Sequence, residues 1–447
     1  MKKNKKVFLA VFLLAVMAVS AACGLGGQGQ TPAGSGTQGQ TPAPAGGGPA
    51  EVTLRFTWWG GDNRHADTIA AVEAFMEQYP HITVEVEPTG WDGTVERITT
   101  QLAGGTEPDL MQVNFDWLTS FTPDGTGFYD LRALSHIIDF SGYEDSFLAM
   151  GEMNGVLQGI PHGNNAYGLA VNATVWERFG ASFPPMDGAW TWQDVVDAAA
   201  LFEPGYYPFA TNVPMYFIFP YVSQITNMPM IGTDGYLNFT IEDMYVGLEF
   251  YSWLIDNNVL PDRRAILEMG GHEFFEGTHS GEMIWTGGMA ERAFSLADTG
   301  QELRVVPFPR APGAQTAGAM EKPTMLFAIS ANTAHPEETA MLLNFILNDP
   351  VGISHMGLTR GTPANYRAAQ ILEDEGRLVG VALDAFHYTQ IAGGMNQGPI
   401  FEIASLRAVY EGIYEEYALG AISRQVAAER LYHEVQEQVF RILGRIQ

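Results

Sequence analysis

Three short segments of this chain hold the residues best suited to grip a ligand. They are Trp58-Trp59-Gly60-Gly61-Asp62-Asn63-Arg64-His65, Trp91-Asp92 and Asn114-Phe115-Asp116-Trp117. An indole offers an apolar face and a polar N–H edge. Asn and Asp side chains present paired hydrogen-bonding atoms. That combination suits a ring with C–H groups on its faces and hydroxyls on its rim, as in a pyranose. Trp59, Trp91, Trp117 and Trp285 are the platform candidates, each in competition with a place in the core. Trp58 alternates with the buried set of its strand and is assigned to the core. Asn114 and Asp116 are candidates for adjacent hydroxyls, against a turn or cap role. Arg64 and His65 stand near a helix start, where the dipole disfavours cations by roughly 0.3–1 kcal/mol. An arginine fork pairs bidentately with a carboxylate. The competing role for Arg64 is a surface pair with Asp62 or Asp67.

Bond-breaking chemistry finds less support. His272-Glu273-Phe274-Phe275-Glu276 lacks the second His of H-E-x-x-H, and no G-x-x-x-x-G-K-[ST] or G-x-S-x-G occurs. Acidic residues are too numerous for any pair to be singled out as a glycosidase dyad. Asp234-Gly235 lacks the alternating acidic ligands of a calcium loop. No catalytic residue, metal or cofactor is assigned.

The elements that must position these groups follow from periodicity. Val52, Leu54, Phe56 and Trp58 alternate with polar residues and predict a strand. Ile69, Val72, Phe75, Met76 and Tyr79 recur at helical spacing, and Pro80 closes that helix. Ile82, Val84 and Val86 alternate again. Val95, Ile98 and Leu102 mark a second helix stopped by Gly104-Gly105. Asp109 to Val113 reads as a buried strand. A βαβαβ order implies a parallel sheet with helices on its faces. Ligands bind such sheets beyond the carboxyl ends of the strands. The three segments fall there. Leu326 to Ser330 reads as a further strand and Pro336 to Leu347 as a helix. Two amphipathic helices end the chain, the second with Ser423 as N-cap.

The chain's start is an address. Lys2, Lys3, Lys5 and Lys6 precede an apolar run from Val7 to Ala22 and the chain's single cysteine, Cys23. This is the layout of a secretory signal, and the run is short of the roughly 20 residues a spanning helix needs. Val19-Ser20-Ala21-Ala22-Cys23 looks like a bacterial lipobox, with Ser20 where Leu is commonest. Gly24 to Ala50 is uncharged, rich in Gly, Gln and Pro, and free of aromatic residues. It cannot bury a core and reads as a disordered tether with a reach of roughly 30 Å. Without the four leader lysines the balance is 19 basic against 51 acidic residues. So acidic a surface argues against nucleic acid.

At these residues the chain resembles the extracellular solute-binding proteins, family 1, of carbohydrate ABC importers. The motifs are Phe56-Thr57-Trp58-Trp59-Gly60, Gly105-Thr106-Glu107-Pro108-Asp109-Leu110-Met111-Gln112, Gly159-Ile160-Pro161 with Val171-Asn172, and Thr191-Trp192. Phe275-Glu276-Gly277 through Met283 and Trp285 follows, with Thr278 and Glu282 where the family has lysine and alanine. Gly361-Thr362-Pro363-Ala364 closes the series. The three ligand segments are similar to those of binders of oligogalacturonides and related pectin fragments. The resemblance implies an α/β, two-lobe periplasmic-binding-protein-like fold (type II), hinge-linked, with the ligand between lobes. The expected division is a signal peptide at 1–22 and a lipidated Cys23 with its tether at 23–50. An N-terminal lobe of 51–168 plus 320–358 and a C-terminal lobe of 169–319 plus 359–447 complete it.

By the same resemblance the partners are an oligosaccharide, ABC permease subunits, and the outer face of a bacterial cell membrane, reached through a lipid on Cys23. A monomer is expected. Asn165, beside Asn164 just before the first crossing, and Tyr216, in an aromatic segment, join the ligand candidates. Arg64, helped by His65 and Arg360, is expected to hold a uronate carboxylate. The alternatives are a secreted polysaccharide lyase or glycoside hydrolase, and a surface adhesin.

Overall fold

The computed structural model describes residues 50–186, 190–211, 213–232, 234–268, 273–392 and 394–445. Residues 1–49, on which the expected signal peptide, Cys23 and tether fall, and His272 lie outside the described residues. Strands β1 (Val52–Trp59), β2 (Ile82–Thr89) and β3 (Leu110–Val113) alternate with helices α1 (Asp62–Gln78) and α2 (Thr94–Gly104). β1 lies parallel to both partners, with Val52 opposite Ile82 and Phe56 opposite Leu110. The sheet is completed by Leu326–Ile329, antiparallel to β3, and by Ile160–Pro161 at its edge. β1 ends with both indoles buried on opposite faces. Trp58 joins Leu54, Phe56, Val72 and Phe75 in one core layer. Trp59 joins Ile98, Met111 and Trp117 in the other. The core assignment of Trp58 therefore holds.

The chain forms two lobes. The second lobe is built on a sheet of Glu321–Pro323, Asn164–Asn172 and Gly281–Trp285, with Leu303–Val306 also paired to the long strand. Its core gathers Trp176, Trp192, Phe209, Phe217 and Phe219 with the last two helices, Ala404–Ala418 and Arg424–Ile442. Ser423 accepts a hydrogen bond from the Val426 N–H, as an N-cap does.

The chain first crosses between lobes at His162-Gly163, from an edge strand of one sheet to the long strand of the other. It returns at Thr324-Met325. Gly163 is needed where these segments meet. A Cβ there would lie 2.6 Å from Thr324 Oγ1, 2.8 Å from Thr362 O and 2.9 Å from Arg360 O.

This packing moves the expected lobe boundaries. Ala166 and Tyr167 belong to the second lobe's core. Glu321–Pro323 is part of its sheet. Helix Tyr366–Asp374 stays with the N-terminal lobe, because Ala368, Ala369 and Leu372 pack on Ile353 of helix Pro350–Met356. The segment 359–378 therefore does not join the C-terminal lobe. That lobe resumes with helix Val381–Ala392, whose Tyr388 donates to Tyr167 O at 2.9 Å.

Candidate functional site

The carboxyl ends of β1, β2 and β3 bring three indoles together. Trp59 lies 4.9 Å from Trp117 and 5.3 Å from Trp91, and Trp91 stacks on Trp117 at 5.6 Å and 26°. Their exposures differ. Trp59 and Trp117 are each 7% exposed and form the base, whereas Trp91 is 54% exposed. Beside them Asn114 Nδ2 donates to Asp116 Oδ1 at 2.5 Å. Asn114 does not cap the turn it precedes, Phe115–Trp117, through its side chain. Burial pushes the Asp116 carboxyl up from the ordinary aspartate range, against the pull of Asn114 and of Lys322.

The second lobe supplies a further aromatic group. Tyr167 stacks on Trp285 at 3.7 Å and lies 4.2 Å from Tyr216. Lys322 Nζ sits 4.4 Å from the centroid of the Trp285 ring and is paired with Glu402. Tyr167 and Lys322 thus both cover the Trp285 ring. Glu402 ends the 3-10 turn Pro399–Glu402, which packs against the Phe115–Trp117 turn of the other lobe. The two lobes therefore meet where Asp116, Lys322 and Glu402 influence one another. Asn165 pairs with Lys322 across the sheet, and its Oδ1 accepts from the Gly287 N–H at 3.0 Å and from Thr286 Oγ1 at 3.3 Å. It caps the helix that starts at Thr286 and keeps its amide N–H groups for other use.

The three cationic candidates are placed differently from expectation. Arg64 Nε and Nη2 donate to Thr359 O at 3.0 and 2.7 Å, and Nη1 donates to Trp59 O at 3.0 Å. Its fork is committed to main-chain carbonyls, neither to an acidic neighbour nor to an open cleft. Gly60 leaves room for this path, since a Cβ there would lie 2.5 Å from Arg64 Cδ. His65 Nδ1 accepts from Trp58 Nε1 at 3.1 Å, so it serves the core indole. Arg360 is 1% exposed and donates through Nε to Gln112 Oε1 at 2.7 Å. Its placement as a ligand contact is corrected: it lies inside the N-terminal lobe. Gln112 Nε2 in turn donates to Trp59 O at 3.2 Å. Arg64, Gln112 and Arg360 thus form a scaffold beneath Trp59.

Sequence reading missed Lys322, Glu402 and Tyr167. One signal was available for Lys322, as the only lysine after Lys6. A separate cavity of about 500 Å³ in the second lobe, lined by Trp192, Tyr221, Phe250 and Trp253, touches none of the expected residues.

The family model for bacterial extracellular solute-binding proteins matches residues 70–376. The chain belongs to that family. A periplasmic oligogalacturonide-binding protein from Yersinia enterocolitica is 30% identical, with a TM-score of 0.80 over 88% of this chain and 100% of that one. The Yersinia protein in complex with saturated digalacturonic acid gives a TM-score of 0.68 over the same shares. A de novo designed cysteine esterase is also 30% identical, with a TM-score of 0.81 over 89% of this chain and 100% of that one. This solute-binding chain has no cysteine beyond Cys23, so its described residues contain no thiol nucleophile. A binding protein of Brucella abortus is 27% identical over 133 residues, 29% of this chain and 30% of that relative.

Proposed function

We propose that this protein is the receptor of a carbohydrate ABC importer. It captures a short oligosaccharide between its lobes and delivers it to membrane permease subunits. The observation that carries this reading is that each lobe holds an aromatic group, Trp59-Trp91-Trp117 in one and Tyr167-Tyr216-Trp285 in the other, while Asp116 of the first lobe and Lys322 and Glu402 of the second influence one another at the lobe contact. Aromatic faces take the C–H surface of sugar rings and the polar groups take hydroxyls. The leader and Cys23 support export and anchoring by lipid.

The sugar in this reading is an acidic one, a galacturonate oligomer or a related uronide. The Yersinia likeness supports it, as does a lysine in the contact. A neutral oligosaccharide is the second reading, favoured by Asp116 and Glu402, whose charges repel a carboxylate. Thermal-shift titration of the purified protein with digalacturonate and with a neutral digalactoside separates the two. A ligand that binds only the folded state at 100 times its Kd adds about 2.7 kcal/mol. Stabilisation by the acidic sugar alone supports the uronide. Stabilisation by the neutral sugar alone replaces it. The sugar should be recovered unchanged; a shortened or unsaturated product would make the protein an enzyme.

A further inference from the structure

We infer that Lys322 is the residue that distinguishes acidic from neutral sugars, and that a uronate carboxylate takes the place of Glu402 as its partner. The inference rests on the uronide reading above and names the residue that would enforce it.

Lys322 stands in the edge strand Glu321–Pro323, opposite Asn165, where the second lobe's sheet faces the lobe contact. Its ammonium has three donors, and Glu402 takes one. Glu402 Oε1 is buried and has no hydrogen-bond partner. The pair is therefore incomplete on both sides: two N–H donors and one carboxylate oxygen remain for a ligand. Both side chains are largely withdrawn from water, 20% exposed for Lys322 and 13% for Glu402. A partner exchange here is consequently worth more than one on an open surface.

The geometry makes the exchange a discriminating step. Lys322 Nζ lies over the Trp285 ring, 4.4 Å from its centroid. A carboxylate that draws the ammonium aside uncovers an indole face for the sugar ring. A neutral sugar brings no anion, so Lys322 stays with Glu402 and the face stays covered. Glu402 belongs to the turn that packs against the Asp116 turn of the opposite lobe. Releasing it changes the contact between lobes in the act of recognising the ligand.

The other cations near the contact are committed elsewhere. Arg64 is held by Thr359 O and Trp59 O; Arg360 donates through Nε to Gln112 and, although its Nη2 is without a partner, lies 1% exposed inside the N-terminal lobe. Arg407, near Tyr216, pairs with Glu411 at 3.0 Å along its own helix.

The test is calorimetric titration of the wild type, Lys322→Met, Glu402→Gln and the double variant with digalacturonate and a neutral digalactoside. The double variant leaves no unpaired buried charge, so it guards against a folding defect. Lys322→Met and the double variant should each lose about thirtyfold in affinity for digalacturonate while affinity for the neutral sugar changes less than about threefold. Glu402→Gln, which removes the competitor, should bind digalacturonate more tightly. Equal losses for both sugars in the two Lys322 variants, or weaker digalacturonate binding by Glu402→Gln, would overturn the inference while leaving the uronide reading intact. A wild type that binds the neutral sugar and ignores digalacturonate removes the reading, and the inference with it.

Discussion

Arg64 and Arg360 lie in the N-terminal lobe and Lys322 at the edge of the other lobe's sheet, and the three cations are used in opposite ways. Each arginine ends on fixed oxygens of the fold: Thr359 O and Trp59 O for Arg64, Gln112 Oε1 for Arg360. Lys322 ends on a carboxylate at the contact between lobes. A planar five-donor fork suits the pinning of several chain segments at once, whereas an ammonium is a point charge on a flexible stem. The difference teaches that a buried cation near a binding site is read from its acceptors. Neutral acceptors fixed by the fold mark a scaffold, and an under-satisfied carboxylate marks a group that can change partners.

The largest expected effect tests the scaffold half of that comparison. Arg360→Ala should cost about 3 kcal/mol of stability in chemical denaturation. It opens a cavity at a fully buried position and leaves Gln112 Oε1 without its donor. The preference between acidic and neutral sugars should not change. A stable variant with an altered preference would move Arg360 from scaffold to ligand site.

Arg64→Ala should cost about 2 kcal/mol, since Thr359 O loses both donated bonds while Trp59 O keeps the one from Gln112. Again both sugars should be affected alike, because what moves is the base of the tryptophan cluster. A selective loss of digalacturonate would place Arg64 beside Lys322 and break the comparison.

Trp91→Ala turns the comparison from charge to rings. Trp91 is more than half exposed, so its removal should change stability by less than about 0.5 kcal/mol. Affinity for either sugar should fall about tenfold. If stability fell instead, the ring would be covering the core of Trp59 and Trp117 and not waiting for a ligand.

How far these placements were legible depends on where each residue's partners lie in the chain. β1, β2 and β3 were readable from alternation, and their shared edge from the order βαβαβ, so Trp59, Trp91 and Trp117 came out together. Their burial differs because Trp59 and Trp117 point into a layer closed by Ile98 and Met111. Helix Tyr366–Asp374 was misplaced because an apolar face at helical spacing predicts burial without saying against which lobe. Arg64 was misread because its acceptor is the carbonyl of Thr359, and a carbonyl 295 positions away leaves no mark on the sequence. Arg360 was misread because its acceptor, the Gln112 side-chain amide, stands 248 positions away. Lys322 left a mark, its singularity, but its meaning needs Trp285 and Glu402 beside it.

The smallest effect comes from what the two arginines do to a neighbour. His162 sits at the first crossing between lobes, 5% exposed, with Nδ1 unpartnered beside a cavity of about 10 Å³ shared with Tyr143 and Asn365. Burial, then the charges of Arg360 and Arg64, hold its pKa well below the ordinary histidine value. Above about pH 6.5 the imidazole is neutral both folded and unfolded. Below that the unfolded chain takes up a proton that the folded protein refuses. Stability should therefore fall as pH drops from about 6.5, by at most about 1.4 kcal/mol per pH unit from this one site. Asp116 and Glu321, both raised by burial, work in the opposite direction, so the contribution is isolated as a difference between wild type and His162→Gln. That difference should shrink in an Arg360→Met background, because removing the nearby charge lets His162 protonate more readily in the folded state. If it stayed the same, burial alone would be holding His162 neutral and the arginines would act only through their hydrogen bonds.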